Sequence, residues 1–253
     1  AQLAKSPSIS LALGSVAGIG AARVTTSHYS VIVKSSAQMM IAGPALVEWA
    51  NLGKVDKEEL GSSKIHTRNG SVDDEASSEK AAFEMARKFL SFLPDNVDQL
   101  PSRIPCSDPT DRRDETLAKI VPKDPRKTYK MRPIINFAFD KDSFFEVGKD
   151  WGKSVITGLA RLDGIAVAVF AEDPMIYGGA WTADSCRKLI RLCDLASTFH
   201  LPLVHLVDCP GFLIGKESEE SGTIRFGSQA LAALGQATVP FCSVIIRKAF
   251  GVA

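Results

Sequence analysis

The fold is decided by SISLALGSVAGIG, residues 8–20. The first six of these residues form a short apolar run, and glycines follow at positions 14, 18 and 20. This order predicts a strand, a tight turn and the start of a helix, because glycine supplies the backbone conformations that a tight turn needs. A second apolar run over 29–33 predicts the next strand.

Strand and helix signals alternate through the rest of the chain. Apolar residues recur at three- and four-residue steps between Glu75 and Leu93, which predicts a helix that ends before Pro94. The runs 155–160 and 165–170 flank Asp163-Gly164, a strong hairpin signal. Further predicted elements are a helix from the N-cap Thr182 to about Phe199, a strand over 203–207, a helix over 224–236 and a strand over 241–246. The pattern predicts α/β architecture.

A short internal repeat relates the two ends of the sequence. Placing 7–20 on 240–253 aligns two apolar runs, and it aligns Gly18-Ile19-Gly20 with Gly251-Val252-Ala253. So few residues match that chance and duplication both account for them. If it is a duplication, the chain contains two copies of one strand–turn–helix unit.

Residues 95–130 have a different composition from the flanking sequence. Prolines and charges are frequent there and aliphatic residues are few. This composition predicts a connector on the protein surface.

Composition argues against several classes of partner. The 253 residues include 30 Lys and Arg against 29 Asp and Glu, a net charge of +1. No long block of one sign is present, so we expect neither nucleic acid nor a membrane surface as a partner. The five cysteines are scattered without a C-x-x-C pair, which predicts neither a metal site nor a disulfide framework. Reduced thiols and the lack of a visible secretory signal favour a cytoplasmic or organelle-matrix location.

Two chemistries that use a glycine-rich turn can be rejected. The glycine spacing suits a short-chain dehydrogenase, but none of the three tyrosines is followed by Lys four residues later, and no acidic residue closes the second strand. A nucleophile elbow needs Gly-x-Ser-x-Gly, and Ser15 lies one position too early. His205, between Val204 and Leu206, is interpreted as a core or interface histidine with its hydrogen bonds satisfied.

A third chemistry is an oxyanion hole. Backbone N–H groups at a glycine turn can hold the negative oxygen of an enolate formed from a thioester, without any catalytic side chain. Gly18-Ile19 and Gly251-Val252-Ala253 would be two such sets of donors. The residues alone leave open the alternative that these glycines only permit tight turns.

Longer motifs narrow these alternatives. They are FFE at 144–146, VITGLARLDG at 155–164, FHLPL at 199–203, VDCPGFLIG at 207–215, IRFG at 224–227 and RKAFG at 247–251, with looser matches at 14–20, 41–44, 59–61 and His66. Together they resemble the carboxyltransferase (β) subunit of biotin-dependent acyl-CoA carboxylases, the propionyl-CoA and acetyl-CoA carboxylase group.

The resemblance implies two crotonase-like (ClpP/crotonase) domains. Residues 1–98 would be the carboxyl-terminal part of the first domain, on the acyl-CoA side. Residues 99–130 would be a proline-rich connector, and 131–253 the amino-terminal part of the second domain, on the biotin side. Members of this family are far longer, so we expect both domains to be incomplete here and the 253-residue chain alone to be inactive.

The resemblance also implies a site built mainly from the backbone. The acyl-CoA thioester oxygen would accept from the N–H groups of Gly18 and Ile19. The biotin carbonyl would accept from Val252 and Ala253, with Gly251 opening that turn and with Pro210, Gly211 and Phe212 lining the biotin side. The family usually has Ala-Gly-Gly at the first hole, and Ile19 replaces the second glycine.

The implied reaction moves a carboxyl group from carboxybiotin to the α-carbon of propionyl-CoA or acetyl-CoA through an enolate. Biotin would be carried by a carrier protein or domain, and acyl-CoA would be the substrate. Implied partners are a biotin carboxylase or biotin carrier subunit and further copies of this chain, in the cytoplasm or, in a eukaryote, the mitochondrial matrix. Two alternatives stay open: the carboxyltransferase of a biotin-dependent acyl-CoA decarboxylase, and an inactive assembly module.

Overall fold

Strands and helices alternate in both halves of the chain in a computed structural model that describes residues 3–251. The chain divides into two units, Ala1–Ser91 and Phe92–Ala253. The assignment of 1–98, 99–130 and 131–253 to two crotonase-like domains and a connector remains a prediction.

The first unit is built on short parallel strands. Its elements are β1 (Ile9–Ala12), β2 (Val16–Ala17), α1 (Ile19–Thr25), β3 (Tyr29–Val33), β4 (Met39–Met40), α2 (Pro44–Trp49), α3 (Lys57–Gly61), α4 (Ser63–Arg68), β5 (Asp74–Ala76) and α5 (Glu79–Leu90). One sheet has the order β1-β3-β5, and β2 pairs with β4 in a second. The predicted strand, turn, helix and strand over 8–33 are confirmed.

The predicted helix over 75–93 is correct in its centre and wrong at its ends. Residues Asp74–Ala76 pair in parallel with β3, so they form a strand instead of the first helical turn. The helix starts at Glu79 because the hydroxyl of Ser78 accepts the N–H of Ala81 as an N-cap. The ring of Phe89 in this helix stacks on Tyr29 with centroids 4.6 Å apart, which ties α5 to the central strand of the sheet.

The second unit contains a larger sheet. Its elements are α6 (Leu117–Ile120), α7 (Met131–Ala138), β6 (Phe145–Val147), β7 (Val155–Leu162), β8 (Ile165–Glu172), a 3₁₀ turn (Tyr177–Gly179), α8 (Ala183–Thr198), β9 (Leu203–Cys209), α9 (Lys216–Glu220), α10 (Thr223–Gln236) and β10 (Phe241–Ala249). The strand order is β10-β9-β8-β7-β6. The neighbours β8, β9 and β10 run parallel, whereas β6 and β7 are antiparallel to their neighbours.

The sequence signals in this unit are confirmed at the turn and at the cap. Asp163 and Gly164 have φ values of 51° and 76°, as a two-residue hairpin of type I′ requires. Thr182 and Ser185 form a capping box at the start of α8, which ends at Thr198.

The predicted connector contributes more to the core than its composition suggests. Within 95–130, all of which the structure describes, α6 is the one regular element. Leu117, Ile120 and Val121 pack against the buried cluster of the second unit, and Tyr129 is part of that cluster. The prediction of a purely superficial segment is therefore wrong at these positions. Their apolar residues are too few to produce a visible periodicity.

The helices and the His, Cys, Asp and Glu side chains of residues 3–251 bear on membrane and metal binding. None of the helices described there has the length and apolar character needed to cross a membrane. Within the same range, no group of three or more His, Cys, Asp or Glu side chains is arranged to hold a metal ion.

The hairpin turn provides a test of the fold. A Cβ at Gly164 would clash with the carbonyl oxygen of Ile104, and the φ of 76° disfavours any side chain. We expect Gly164→Ala to lower the free energy of unfolding in urea by about 1–3 kcal/mol from backbone strain, with an added steric cost.

The matched control is Gly235→Ala in α10. This glycine has ordinary helical backbone geometry and open space where a Cβ would lie, so the substitution should raise the free energy of unfolding by about 0.5–1 kcal/mol. Equal effects of the two substitutions would contradict the description of the hairpin.

Candidate functional site

The glycine turn of the first unit is held in a conformation that excludes other residues. Gly18 lies between β2 and α1 with φ 59° and ψ −126°, a combination that glycine adopts readily and residues with a Cβ do not. A Cβ at Gly18 would have no atom within 4 Å. Glycine is therefore required by the backbone conformation, and the space beside the turn is open.

The N–H groups of this turn differ in what they bind. The N–H of Gly18 is shared between the carbonyl oxygens of Met40 and Ile41, each 3.2 Å away. Ile19 is the first residue of α1, so its N–H has no acceptor within the helix. The predicted donation by Gly18 would therefore compete with two existing bonds, whereas Ile19 is the better donor.

The side chain of Ile19 is not part of the core. It is 76% exposed, and Ile41, whose carbonyl oxygen accepts the N–H of Gly18, is 96% exposed. The branched residue that replaces the family's second glycine thus stands at the open side of the turn, and the replacement leaves the Ile19 amide in place.

The predicted residues of the biotin side come together where two parallel strands end. β9 and β10 are neighbours, so the turns that follow them adjoin. A Cβ on Gly251 would lie 3.3 Å from the Cα of Gly211 and 3.6 Å from the carbonyl oxygen of Pro210. Gly211 and Gly251 have φ values of 109° and 73°. Val252 and Ala253, the predicted donors, lie outside the described residues.

Trp181 holds the turn around Gly211 by its backbone. The N–H of Trp181 donates to the carbonyl oxygen of Gly211 at 3.0 Å, and the N–H of Leu213 donates to that of Trp181 at 2.8 Å. The Phe212 ring packs against α10, where a Cβ on Gly227 would lie 2.6 Å from a ring atom. Phe212 therefore anchors the turn to α10, and its contact with biotin remains a prediction.

Two buried carboxylates beneath these turns were missed by the sequence analysis. Asp208 and Glu172 are both 0% exposed. The Oδ2 atom of Asp208 accepts the hydroxyl of Tyr129 at 2.7 Å and the Nε of Arg247 at 3.2 Å. Its Oδ1 atom accepts the backbone N–H of Lys248 at 3.0 Å. Asp208 therefore joins β9 to β10 and to the end of the predicted connector.

Glu172, the last residue of the adjacent strand β8, is likewise buried and accepts hydrogen bonds from other segments. Its Oε1 atom accepts the indole N–H of Trp181 at 3.0 Å and lies 2.9 Å from Nε2 of His205. Its Oε2 atom accepts the backbone N–H of Asp208 at 3.0 Å. The His205 ring also stacks on Phe170 with centroids 4.0 Å apart. The interpretation of His205 as a satisfied core histidine is confirmed.

A signal for these carboxylates was present in the sequence. Each is an acidic residue in or at the end of an apolar strand, Glu172 in β8 and Asp208 in β9. Acidic residues are rarely fully buried without partners. Their partners lie up to 79 residues away, which no local pattern shows.

Two side chains near the turns, Tyr129 and Cys209, have raised pKa values that favour their neutral forms. Burial, followed by the hydrogen bond to Asp208, raises the pKa of Tyr129 well above its ordinary value. Burial raises the pKa of the Cys209 thiol to about 12, and the nearby carboxylate of Glu172 adds to that rise. Neither group is therefore suited to act as an anionic nucleophile near neutral pH.

The fold and these turns define an α/β protein with glycines at positive φ beyond the ends of parallel strands. Residues 3–253 match the family model described as the carboxyl transferase domain, and the chain belongs to this family. The resemblance noted from the sequence motifs is thereby confirmed.

Similar proteins include carboxylase subunits. The chain is 37% identical over 246 residues to the propionyl-CoA carboxylase β chain of Roseobacter denitrificans, covering 97% of this chain and 48% of that one. It is 36% identical over 247 residues to the human mitochondrial propionyl-CoA carboxylase β chain, covering 97% and 46%. The chain thus spans about half the length of the curated relatives it matches.

Solved structures show the same fold. A transcarboxylase 12S hexamer with bound hydrolysed methylmalonyl-CoA matches with a TM-score of 0.93 at 31% identity, covering 99% of this chain and 50% of that one. A single-chain, multi-domain long-chain acyl-CoA carboxylase matches with a TM-score of 0.82 at 26% identity, covering 94% and 23%. The predicted α/β class is confirmed by this likeness to carboxyltransferase structures.

Thiol reactivity tests the surroundings of the second turn. With a pKa of about 12, only about one Cys209 thiol in ten thousand is ionised at pH 8, and the side chain is buried. We expect iodoacetamide at pH 8 to modify the exposed Cys242 in the native protein and to leave Cys209 unmodified, as measured by peptide mass spectrometry. Modification of Cys209 at the rate of Cys242 would show that the turn is open to solvent; modification of both after denaturation is the control.

Proposed function

We propose that the whole protein transfers a carboxyl group between biotin and a short-chain acyl-CoA such as propionyl-CoA or acetyl-CoA. The observation that carries this proposal is the presence, in a chain of this family, of two sites where glycines at positive φ follow parallel strands. Such turns leave backbone N–H groups at strand ends, where they can hold an oxyanion.

The first turn would bind the acyl-CoA thioester. Ile19 would donate its N–H to the thioester oxygen. Gly18 would either donate its own N–H to the same oxygen or, through its φ of 59°, orient the N–H of Ile19. The positive ends of these N–H dipoles would stabilise the enolate oxygen when the α-proton passes to the biotin nitrogen that has given up its carboxyl group. The open space at Gly18 supports a close approach of the substrate to the backbone.

The second turn would hold the biotin ring, which in its carboxylated form supplies the carboxyl group. The residues present fit such a ring, because a Cβ on Gly211 or Gly251 would lie 3.3–3.7 Å from the backbone of the other turn, so the two turns adjoin with no side chain between them. Pro210 and Phe212 would line this side. Val252 and Ala253 would donate their N–H groups to the biotin carbonyl.

Relatives guide the proposal for partners. Transcarboxylase 12S is described as a hexamer, and several relatives are β chains of carboxylases. We therefore propose that the whole protein assembles with further copies of itself and receives biotin from a carrier subunit or domain associated with a biotin carboxylase. A cytoplasmic or mitochondrial-matrix location remains a prediction from the sequence.

The direct test is an assay of the whole protein. We expect it to decarboxylate malonyl-CoA or methylmalonyl-CoA in a reaction that depends on added biotin, measured as the conversion to acetyl-CoA or propionyl-CoA. The relative rates with the two substrates indicate the preferred acyl chain. Absence of biotin dependence with both substrates would contradict the proposal and favour an inactive assembly module. This half-reaction is reversible, so its net direction is set by the coupled partner that carboxylates or decarboxylates biotin.

The first turn is tested by Gly18→Ala. A Cβ meets no atom there, so the effect comes from the φ and ψ values that alanine avoids, and the turn must shift. We expect turnover to fall about 10²-fold because the oxyanion donors move out of place. The assay is the biotin-dependent decarboxylation above, with the midpoint of thermal unfolding recorded alongside.

Gly14→Ala is the matched control. Gly14 belongs to the same glycine-rich stretch, also has open space for a Cβ, and has no positive φ. It should keep turnover within about twofold of the wild type, because no donor is displaced. Wild-type turnover in Gly18→Ala as well would assign the first turn a structural role only.

A further inference from the structure

β10 changes its pairing with β9 just before the second turn. Phe241 to Ile245 pair with Leu203 to Val207 at a constant offset of 38 residues, but Ala249 pairs with Cys209 at an offset of 40. Two extra residues are therefore accommodated in β10 opposite Asp208. Such bulges bend a strand and interrupt its ladder of hydrogen bonds.

The Asp208 carboxylate compensates for this interruption. Lys248, inside the irregular segment, donates its backbone N–H to Oδ1 of Asp208 at 3.0 Å. Arg247, the residue before it, places Nη2 at 3.1 Å from Oδ2, and Lys248 places Nζ at 3.8 Å from Oδ1. The Asp208 side chain of β9 thus accepts a backbone N–H of the bulge and pairs with the positive charges of Arg247 and Lys248.

A second contact joins the irregular segment of β10 to the 3₁₀ turn. Nζ of Lys248 donates to the carbonyl oxygen of Gly178 at 2.7 Å. At the next residue, Gly179, a Cβ would lie 2.6 Å from the carbonyl oxygen of Asp208 and 3.0 Å from the Cβ of Glu172. The 3₁₀ turn therefore lies tightly against the backbone of Asp208 and the side chain of Glu172.

Glu172 extends the arrangement to the Gly211 turn. It accepts the backbone N–H of Asp208 and the indole N–H of Trp181. The backbone of Trp181 in turn bonds to both sides of that turn, at Gly211 and Leu213. Glu172 is therefore connected to the turn after β9 through Trp181. Asp208 is connected to the turn after β10 through Lys248.

We infer that Asp208, supported by Glu172, is the positioning residue that sets the separation of the Gly211 and Gly251 turns. Asp208 lies two residues before Pro210, and its partner Lys248 lies three residues before Gly251. This inference rests on the proposed function, in which these turns enclose biotin. Asp208 acts through the backbone of β10 and has no contact of its own with a reacting group.

The test uses Asp208→Asn in the whole protein. Asparagine keeps one acceptor for the Lys248 N–H but loses the charge that pairs with Arg247. We expect the KM for free biotin to rise about tenfold and kcat to fall about tenfold or more, with the KM for acyl-CoA unchanged, since about 1 Å of misplacement has effects of this order. Simple loss of folded protein would lower kcat and leave both KM values unchanged.

Asp140→Asn is the matched control. Asp140 also accepts two backbone N–H groups, those of Asp163 and Gly164 at 2.8 and 2.7 Å, but at the hairpin where β8 begins. We expect Asp140→Asn to lower the free energy of unfolding and to leave the KM for biotin at the wild-type value.

Tyr129→Phe is a second, milder test variant, because it removes one hydrogen-bond donor to Asp208 and no charge. It should raise the KM for biotin about threefold, and it replaces Asp208→Asn in the test if that variant does not fold.

Hydrogen–deuterium exchange separates this inference from the proposed function. In Asp208→Asn or, if needed, Tyr129→Phe, amides of 209–213 and 247–251 should exchange at least tenfold faster, whereas those of β7 should not change. Unchanged exchange in both segments, or an unchanged KM for biotin in an active variant, would overturn the positioning role. Faster exchange in the variants of a protein with no biotin-dependent activity would support the role of Asp208 and refute the proposed function.

Discussion

A fully buried negative charge, that of Asp208, is the constraint on which the second unit depends. A buried carboxylate is costly unless hydrogen bonds and opposite charges surround it. Its partners come from separate segments, namely Tyr129 beside α7 and Arg247 and Lys248 in β10. Satisfying this one group therefore brings the end of 95–130, β9 and β10 to fixed positions.

The two glycine turns of the second unit are placed by the pairing of β9 with β10 that Asp208 supports. Gly211 and Gly251 can adopt their positive φ values anywhere, but they adjoin only because β9 and β10 end side by side. In the first unit, Gly18 follows β2 in the same manner. Backbone amides do not titrate near neutral pH. A site built from them therefore needs no tuned side chain, which agrees with the high pKa of Cys209.

Local signals predicted local structure well. Asp163-Gly164 specifies its turn through the φ values that the two residues tolerate, and Thr182 starts α8 through its own hydroxyl. The start of α5 was misplaced because pairing with β3 overrides the helical pattern at Glu75. The glycine turns were found from spacing and resemblance. The Asp208 and Glu172 contacts were not, because the partners are distant in sequence and only the folded chain brings them together.

The most direct test of the backbone-donor account is a crystal structure of the whole protein with a bound acyl-CoA. We expect the thioester oxygen to lie about 2.7–3.2 Å from the backbone nitrogen of Ile19, with Gly18 retaining its positive φ. A thioester oxygen held by a side chain, or bound away from the start of α1, would contradict it.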